Sequence, residues 1–172
     1  MYSSGTEEYI TQVVERYSSM LLRLALTRVS CAADAEDVVQ EVFLKLLTAR
    51  PRFRDGDHER AWLIRATINR ACDLRRAAAS QALPLEDAGE MAAPEPPMPE
   101  LLSAVQALPE KYSTVIHLYY YEGYNIWEIA KLLGLPAATV GTRLARGRSR
   151  LKELLKEEEV WTVTNTAPPL TK

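Results

Sequence analysis

Cysteine and histidine are scarce in this 172-residue chain, which contains two of each. Cys31 and Cys72 form no CxxC pair, and only His58 and His117 are available to join them. Neither a disulfide framework nor a zinc ligand set can be assembled from so few residues. We therefore expect no metal and no cofactor, and a reducing compartment suits the two thiols best.

A long apolar run is also missing. The most apolar stretch, MLLRLAL at residues 20–26, is interrupted by Arg23. It is too short to cross a bilayer, which takes about 20 apolar residues in succession, and no basic segment followed by an apolar run opens the chain. We expect a cytoplasmic protein without membrane insertion. Its composition, 47% apolar and 26% charged, is that of a folded globular chain.

Charge is unevenly distributed, although the net charge is only −2. Residues 50–76 hold eight arginines and four acids, a balance of +4, and residues 136–156 hold six bases and one acid, a balance of +5. Residues 80–100 hold five acids and no base, a balance of −5. Two basic patches on either side of an acidic spacer indicate localised sites, which the mildly acidic total conceals.

The acidic spacer contains five of the ten prolines and has no helical or strand period. We predict a linker over residues 79–100, with one domain at 1–78 and a second at 101–156. A solvated spacer is the preferred interpretation. The alternative is that its acids occupy a basic groove until nucleic acid displaces them.

Helical periodicity runs through the first domain. One helix is predicted over residues 7–29. A second is predicted to begin with Asp34 as its N-cap, and its buried face comprises Val38, Val39, Val42, Phe43 and Leu46. A third, ERAWLIRATINRACDLRR, is apolar around much of its circumference, and its polar exceptions share one face: Arg65, Asn69, Asp73 and Arg76.

The second domain is also predicted to be helical, so the expected fold class is all-α with two small domains. Pro109 is expected as the first residue of a helix that Gly123 closes. The stretch NIWEIAKLLGLPAATVGTRLARGRSRL predicts a helix-turn-helix. Asn125 and Glu128 suit a capping box, and Gly134 permits the turn. A narrow buried seam follows: Val140, Leu144, Leu151 and Leu155.

The exposed face of the last helix is basic. It carries Arg143, Arg146, Arg148, Arg150, Lys152 and Lys156. This face has the character of a recognition helix, aimed at phosphates and base edges in a major groove. A merely solvated surface helix is the alternative, and it is disfavoured because the turn and the seam agree with the motif.

Both halves resemble an extracytoplasmic-function (ECF) sigma factor, a sigma-70-family subunit of bacterial RNA polymerase with a region 2 and a region 4 domain. DAEDVVQEVFLKLL resembles region 2.2, RAWLIRATINRACDLRR resembles regions 2.3 and 2.4, and LPEKYSTVIHLYYYEGYNIWEIAKLLGLPAATVGTRLARGRSRL resembles region 4. The resemblance implies a protein that binds core RNA polymerase, directs it to promoter DNA and assists melting. It also implies an anti-sigma factor as a partner.

The resemblance implies that core polymerase binds the second helix through its β′ clamp helices, and that region 4 meets the β flap. Asp37, Gln40 and Glu41 lie at i, i+3 and i+4, so they form one acidic, hydrogen-bonding stripe suited to a basic partner helix. The alternative is that these residues only favour the helix N-terminus and solubility.

The resemblance places the −10 promoter element at the loop RPRFRDGDHE and the third helix. Asn69 can donate to and accept from a base edge. Phe53 is the preferred stacking ring, because Trp62 lies in a dense apolar run that favours a core role. Cations for the strand backbone complete the predicted set: Arg54, Arg65, Arg75 and Arg76.

The −35 element is expected to be read from the start of the recognition helix by Thr142, Arg143 and Arg146, because the arginine fork pairs well with guanine. Arg148 and Arg150 are expected to hold phosphates. The chain departs from the family at three positions of this helix, since Gly141 stands where Lys or Arg is common, Thr142 where Ser is common and Gly147 where Ala is common.

Two rival functions come from other classes. One is an autonomous two-domain DNA-binding regulator that needs no polymerase. The other is a metal-dependent nuclease built on one loop, whose candidate residues are Asp55, Asp57, His58 and Glu59. We expect no catalytic activity, because four polar residues on one loop usually form only a turn. The tail 157–172 is predicted to be disordered, with attachment to a partner as the alternative.

Overall fold

The computed structural model describes residues 7–81 and 100–157, and the regular elements in these ranges are all helical. The chain divides into two compact units. The first contains α1 (Glu7–Leu26), α2 (Ala32–Ala49) and α3 (Gly56–Ser80); the second contains α4 (Glu100–Ala107), α5 (Glu110–Ile116), most of α6 (Ile126–Leu133), and α7 (Ala137–Glu157). The all-α prediction is confirmed for these ranges. The predicted tail after Glu157 and most of the predicted linker, residues 82–99, lie outside them.

The first unit is held together by three apolar stripes, because α1, α2 and α3 each pack on the other two. The stripes arise from apolar residues that recur at steps of three and four. Full burial of one such side chain contributes about 1.5–3 kcal/mol. The most deeply buried members are Leu21, Leu24, Val38, Val42, Leu46, Leu63 and Ile64.

The boundaries of α1 and α2 differ from those predicted. α1 ends at Leu26, and Val29 lies in the turn that follows. The prediction of Asp34 as an N-cap is wrong: α2 begins at Ala32 after Cys31, so Asp34 lies within the first turn. Its charge still complements the positive end of the helix dipole there. Phe43 is only half-buried, whereas the other four predicted members of the α2 face are buried.

α3 is longer than predicted at both ends, and a cap in the loop before it accounts for the earlier start. The carboxylate of Asp55 accepts a hydrogen bond from the backbone N–H of His58 at 2.8 Å, so the helix begins at Gly56. At the other end α3 continues to Ser80, two residues into the predicted linker. The cap fixes where the loop that precedes α3 joins the helix.

In the second unit, α5 packs against α4 and α7. Pro109 precedes α5 as its N-cap, so its prediction as the first helical residue is wrong by one position. Its carbonyl accepts from the backbone N–H of Tyr112 at 2.9 Å and of Ser113 at 3.0 Å. A π-helical segment, His117–Tyr121, continues α5, and Gly123 then takes a φ of 74°. The predicted end of this helix at Gly123 is thus confirmed.

The helix-turn-helix forms as predicted. Asn125 and Glu128 make a reciprocal capping box, in which each side chain accepts from the other residue's backbone N–H at 2.9 Å. Gly134 takes a φ of 65° in the turn between α6 and α7. In the seam of α7, Val140, Leu144 and Leu155 are buried and Leu151 is half-buried.

Gly147 allows α5 and α7 to cross closely. A Cβ placed on it would lie 3.0 Å from Cγ1 of Ile116 and 3.3 Å from Cβ of Tyr112, which is tighter than ordinary van der Waals contact. A Cβ on Gly141 would meet nothing within 4 Å. The two glycines that depart from the family pattern therefore differ, since packing against α5 accounts for Gly147 and nothing in the structure accounts for Gly141.

Candidate protein and nucleic-acid interfaces

The outer face of α2 carries the predicted acidic stripe. Asp37, Gln40 and Glu41 are all exposed. The same face continues into two exposed apolar side chains, since Leu44 and Leu47 are 58% and 39% exposed and lie two helical turns beyond Asp37 and Gln40. Exposed leucines beside a polar stripe are typical of a surface that a partner covers. The leucines were missed because the sequence alone did not show that α2 turns them outward.

Glu41 has a partner within the chain. Arg70 on α3 holds it in a two-pronged pair, with Nη2 donating to Oε1 at 3.0 Å and Nε donating to Oε2. This hydrogen-bonded guanidinium holds the pKa of Glu41 below its usual value. Both side chains remain partly exposed, at 34% for Arg70 and 46% for Glu41. The pair links the acidic face of α2 to α3, so Glu41 differs from the other two stripe residues.

An aromatic cluster occupies the start of α3. The ring of Phe53 packs edge-on against His58, at 5.4 Å between centroids, and against Trp62, at 5.9 Å. All three residues are half-buried. The structure thus joins the two rings that the sequence presented as competing stacking candidates. The core role favoured for Trp62 predicts full burial, whereas the side chain is only half-buried.

The predicted polar face of α3 is exposed along its length. Arg65, Asn69, Asp73 and Arg76 point away from the core, and Arg75 and Arg54 are exposed as well. Arg76 and Asp73 approach each other at 4.0 Å with most of both side chains in solvent, a geometry that contributes little stability. The face therefore presents one amide and one acid among arginines; the amide suits a base edge and the arginines suit phosphates.

Three of the four residues named for a nuclease, Asp55, His58 and Glu59, have structural partners. Asp55 caps α3. Glu59 is buried and accepts a hydrogen bond from the hydroxyl of Tyr9, and burial and this carboxylate raise the pKa of Tyr9. Within residues 7–81 and 100–157, no group of three or more His, Cys, Asp or Glu side chains is placed to hold a metal ion. The geometry gives this alternative no support.

The basic face of α7 borders a cavity of about 310 Å³. Thr142, Arg143 and Arg146 all line this cavity. The three residues predicted to read the −35 element therefore lie on one surface. Thr142 donates its hydroxyl hydrogen to the carbonyl of Ala138 at 3.0 Å, so toward a base it can offer only its acceptor lone pairs. Arg148 and Arg150 are exposed further along the helix and lie outside this cavity.

Two residues of α5 complete that cavity and were missed from the sequence. Lys111 and Tyr112 line its opposite wall. Both Lys111 Nζ, at 5.0 Å, and Arg150 Cζ, at 5.1 Å, lie over the Tyr112 ring. No local motif connects positions 111 and 150, because the contact depends on the crossing of α5 over α7.

Both units match known sequence families. Residues 13–81 match Sigma-70 region 2, and residues 99–151 match Sigma-70, region 4. The chain is 31% identical over 156 residues to the ECF RNA polymerase sigma factor SigM of Mycobacterium tuberculosis, across 88% of this chain and 80% of that protein.

Two solved structures share the fold. The sigma factor RpoE of Bartonella quintana, solved in complex with the anti-sigma factor NepR, matches with a TM-score of 0.67 at 24% identity, over 85% of this chain and 96% of that one. CnrH, solved in complex with the cytosolic domain of CnrY, matches with a TM-score of 0.63 at 27% identity, over 90% of this chain and 92% of that one.

The two matched regions together define a subunit of the sigma-70 class. The chain belongs to the family of ECF RNA polymerase sigma factors. These are transcription initiation factors, so membership favours a polymerase subunit over an autonomous regulator. Among the described helices, none is long and apolar enough to span a membrane.

Proposed function

We propose that this chain acts in the cytoplasm, joins core RNA polymerase through the outer face of α2, and brings it to promoters whose −10 and −35 elements bind the first and second units. The chain itself supplies no catalysis. The observation that carries this proposal is the order of surfaces along the chain: an acidic face on α2, a cationic face with Asn69 on α3, and a basic recognition helix at α7.

The α2 face supports the core-binding step. Asp37 and Gln40 offer exposed polar groups, and Leu44 and Leu47 offer apolar area on the same side of the helix. Interfaces combine buried apolar contact with charged groups that choose the partner. A basic, partly apolar helix pair such as the β′ clamp helices fits this face. The second unit is proposed to meet the β flap.

The first unit is proposed to hold the −10 element as melting begins. Melting requires a pocket for an unstacked base next to cations that track the backbone. The Phe53 ring, braced by His58 and Trp62, supplies an aromatic edge at the start of α3. Asn69 is exposed on the same unit, which also carries four exposed cations: Arg54, Arg65, Arg75 and Arg76.

The second unit is proposed to read the −35 element. Arg143 and Arg146 meet at the cavity beside the N-terminal half of α7, the end that enters a major groove in helix-turn-helix proteins. We assign base edges to this pair and to the acceptor oxygen of Thr142. Arg148 and Arg150 lie further along the helix and are assigned to phosphates.

An anti-sigma factor is a further proposed partner. The support is that the sigma factor RpoE of Bartonella quintana, which shares this fold, was solved in complex with the anti-sigma factor NepR. A protein that covers the α2 face or the basic face of α7 blocks core or promoter binding, respectively.

Binding to promoter duplex with and without core polymerase tests the proposal. A sigma factor of this class is expected to bind a specific promoter only together with core, and to support run-off transcription from it. A promoter library, with the run-off products sequenced, identifies that promoter. Tight specific binding by the chain alone, with no gain on adding core, would favour the autonomous regulator instead.

A further inference from the structure

A groove lies between the first turn of α5 and the basic face of α7. Tyr112 forms its floor and is 4% exposed. Its ring can lie against α7 because Gly147 has no side chain, since Cβ of Tyr112 would be only 3.3 Å from a Cβ at that position. The close packing of α5 on α7 thus fixes the floor of the groove.

Cations converge on this floor from both helices. Lys111 Nζ and Arg150 Cζ lie 5.0 Å and 5.1 Å from the centre of the Tyr112 ring. Desolvation raises the pKa of the Tyr112 phenol, but Lys111, Arg146 and Arg150 outweigh it, so this pKa lies below its usual value. The groove therefore has a positive potential, and its cations repel one another until an anion enters.

The groove has two parts of different character. The first, of about 310 Å³, is lined by Lys111, Arg143 and Arg146 with Thr142, and no acid lines it. The second, of about 480 Å³, shares Tyr112 and Arg146 but includes Glu153. A carboxylate opposes an anion, so the first part is the better anion site.

We propose that the first part of the groove holds a phosphodiester of promoter DNA beside the −35 bases, and that Lys111 of α5 contacts this phosphate from outside the recognition helix. The proposal rests on the −35 role proposed above for α7. A helix that enters the major groove places the flanking backbone against the elements packed beside it. Here that element is α5, and its only basic residue is Lys111.

The test uses the complete chain bound to core polymerase and a duplex promoter with a −35 element. Lys111→Gln removes the charge and keeps the length of the side chain. Lys131→Gln is the matched control, because Lys131 is an exposed lysine of α6 that does not line the groove. For Lys111→Gln we expect the slope of log K against log salt to flatten by about one unit. Affinity should fall several-fold, equally for all −35 sequences, and Lys111→Arg should restore the slope.

Three outcomes decide the matter. Equal slopes for Lys111→Gln and Lys131→Gln overturn the proposal. If Arg143→Ala still relaxes the −35 preference in that case, the proposed function stands without the groove. A flattened slope for Lys111→Gln, with no loss of sequence preference in Arg143→Ala, supports the groove and removes base reading from Arg143.

A separate measurement distinguishes DNA from a free anion. Inorganic phosphate and chloride are compared at equal ionic strength for their effect on thermal unfolding of the full chain. We expect equal melting temperatures, because one phosphate ion lacks the duplex that anchors the phosphodiester. Stabilisation by phosphate in the wild type, absent in Lys111→Gln, would show a general anion site and overturn the assignment to DNA.

Discussion

The two units of this sigma factor arrange charge in different ways. The first unit separates its charges onto two helices, acidic on the outside of α2 and mainly cationic on α3, and joins them through Glu41 and Arg70. The second unit concentrates its cations on α7 and gathers several of them around one tyrosine of α5. The first arrangement places surfaces of opposite charge on separate faces of one unit, whereas the second gathers like charges on one surface.

The largest expected effect is the unfolding of the second unit while the first unit stays folded. Val140 is fully buried in the seam of α7, so Val140→Asp places a charge in the core of the second unit. We expect destabilisation of that unit by about 4 kcal/mol or more, enough to unfold it. Circular dichroism should show loss of part of the helix signal, and the −35 effects should vanish together. Association with core through α2 should persist, and its loss would mean that the units depend on each other.

The next effect tests the acidic face of the first unit. Asp37→Arg reverses an exposed charge, which should change folding stability by no more than about 0.5 kcal/mol. Facing a basic partner helix, the reversal should cost several kcal/mol and abolish association with core. Co-purification with core measures this directly, and Lys45→Glu on the same helix is the control for a simple charge change. Wild-type recovery of core by Asp37→Arg would remove the interface from this face.

Within the second unit, base reading and phosphate holding should give different signatures. Arg143→Ala or Arg146→Ala should relax the preference at one −35 position by about 1–3 kcal/mol. Arg148→Ala or Arg150→Ala should weaken all promoters alike and flatten the salt dependence by about one unit of slope. Binding of holoenzyme to promoter variants across a salt series separates the two. Uniform weakening by all four would reduce α7 to an electrostatic anchor, with readout by DNA shape.

The sequence predicted the second unit better than the first, for a physical reason. The seam, the capping box and the basic face of α7 follow local spacing along one or two helices, and local spacing is visible in the sequence. The pair of Glu41 with Arg70 and the approach of Lys111 and Arg150 to Tyr112 depend on which faces meet after packing. Periodicity shows that a face is apolar but does not show its partner, so these contacts escaped prediction.

Helix ends were missed for a similar reason. Asp34 had the residue type of an N-cap, but α2 begins two residues before it because Ala32 and Ala33 are compatible with helix. Asp55 acts as the cap of α3 and looked equally suited to a plain turn, since the same side-chain bond serves both. Local polarity alone therefore located the ends only approximately.

The two glycines of α7 test how closely α5 and α7 pack in the second unit. Gly141→Ala adds a methyl group in open space and should stabilise α7 by about 1 kcal/mol through helix propensity. Gly147→Ala gains the same propensity, but its Cβ would lie 3.0 Å from Ile116, so we expect a net loss of about 1 kcal/mol or more. Urea unfolding of both variants measures the difference. Equal stabilisation by the two would show that α5 and α7 have room to separate.

The smallest effect concerns the pair of Glu41 and Arg70, which links α2 to α3 in the first unit. The pKa of Glu41 is lowered in the folded chain by Arg70, so the pair stabilises the fold above the unfolded pKa of about 4.5 and is lost as pH falls through the folded value. Because both side chains are partly exposed, Arg70→Gln should cost only about 0.2–1 kcal/mol at pH 7. The difference from wild type should shrink as the pH falls through the lowered pKa of Glu41, because protonation of the carboxylate removes the pair. Urea unfolding at pH 7 and pH 3 gives both numbers, with Arg65→Gln on the exposed face of α3 as the control. A difference that stays constant with pH would mean that Arg70 acts by packing its aliphatic stem, and that Glu41 is as available to polymerase as Asp37.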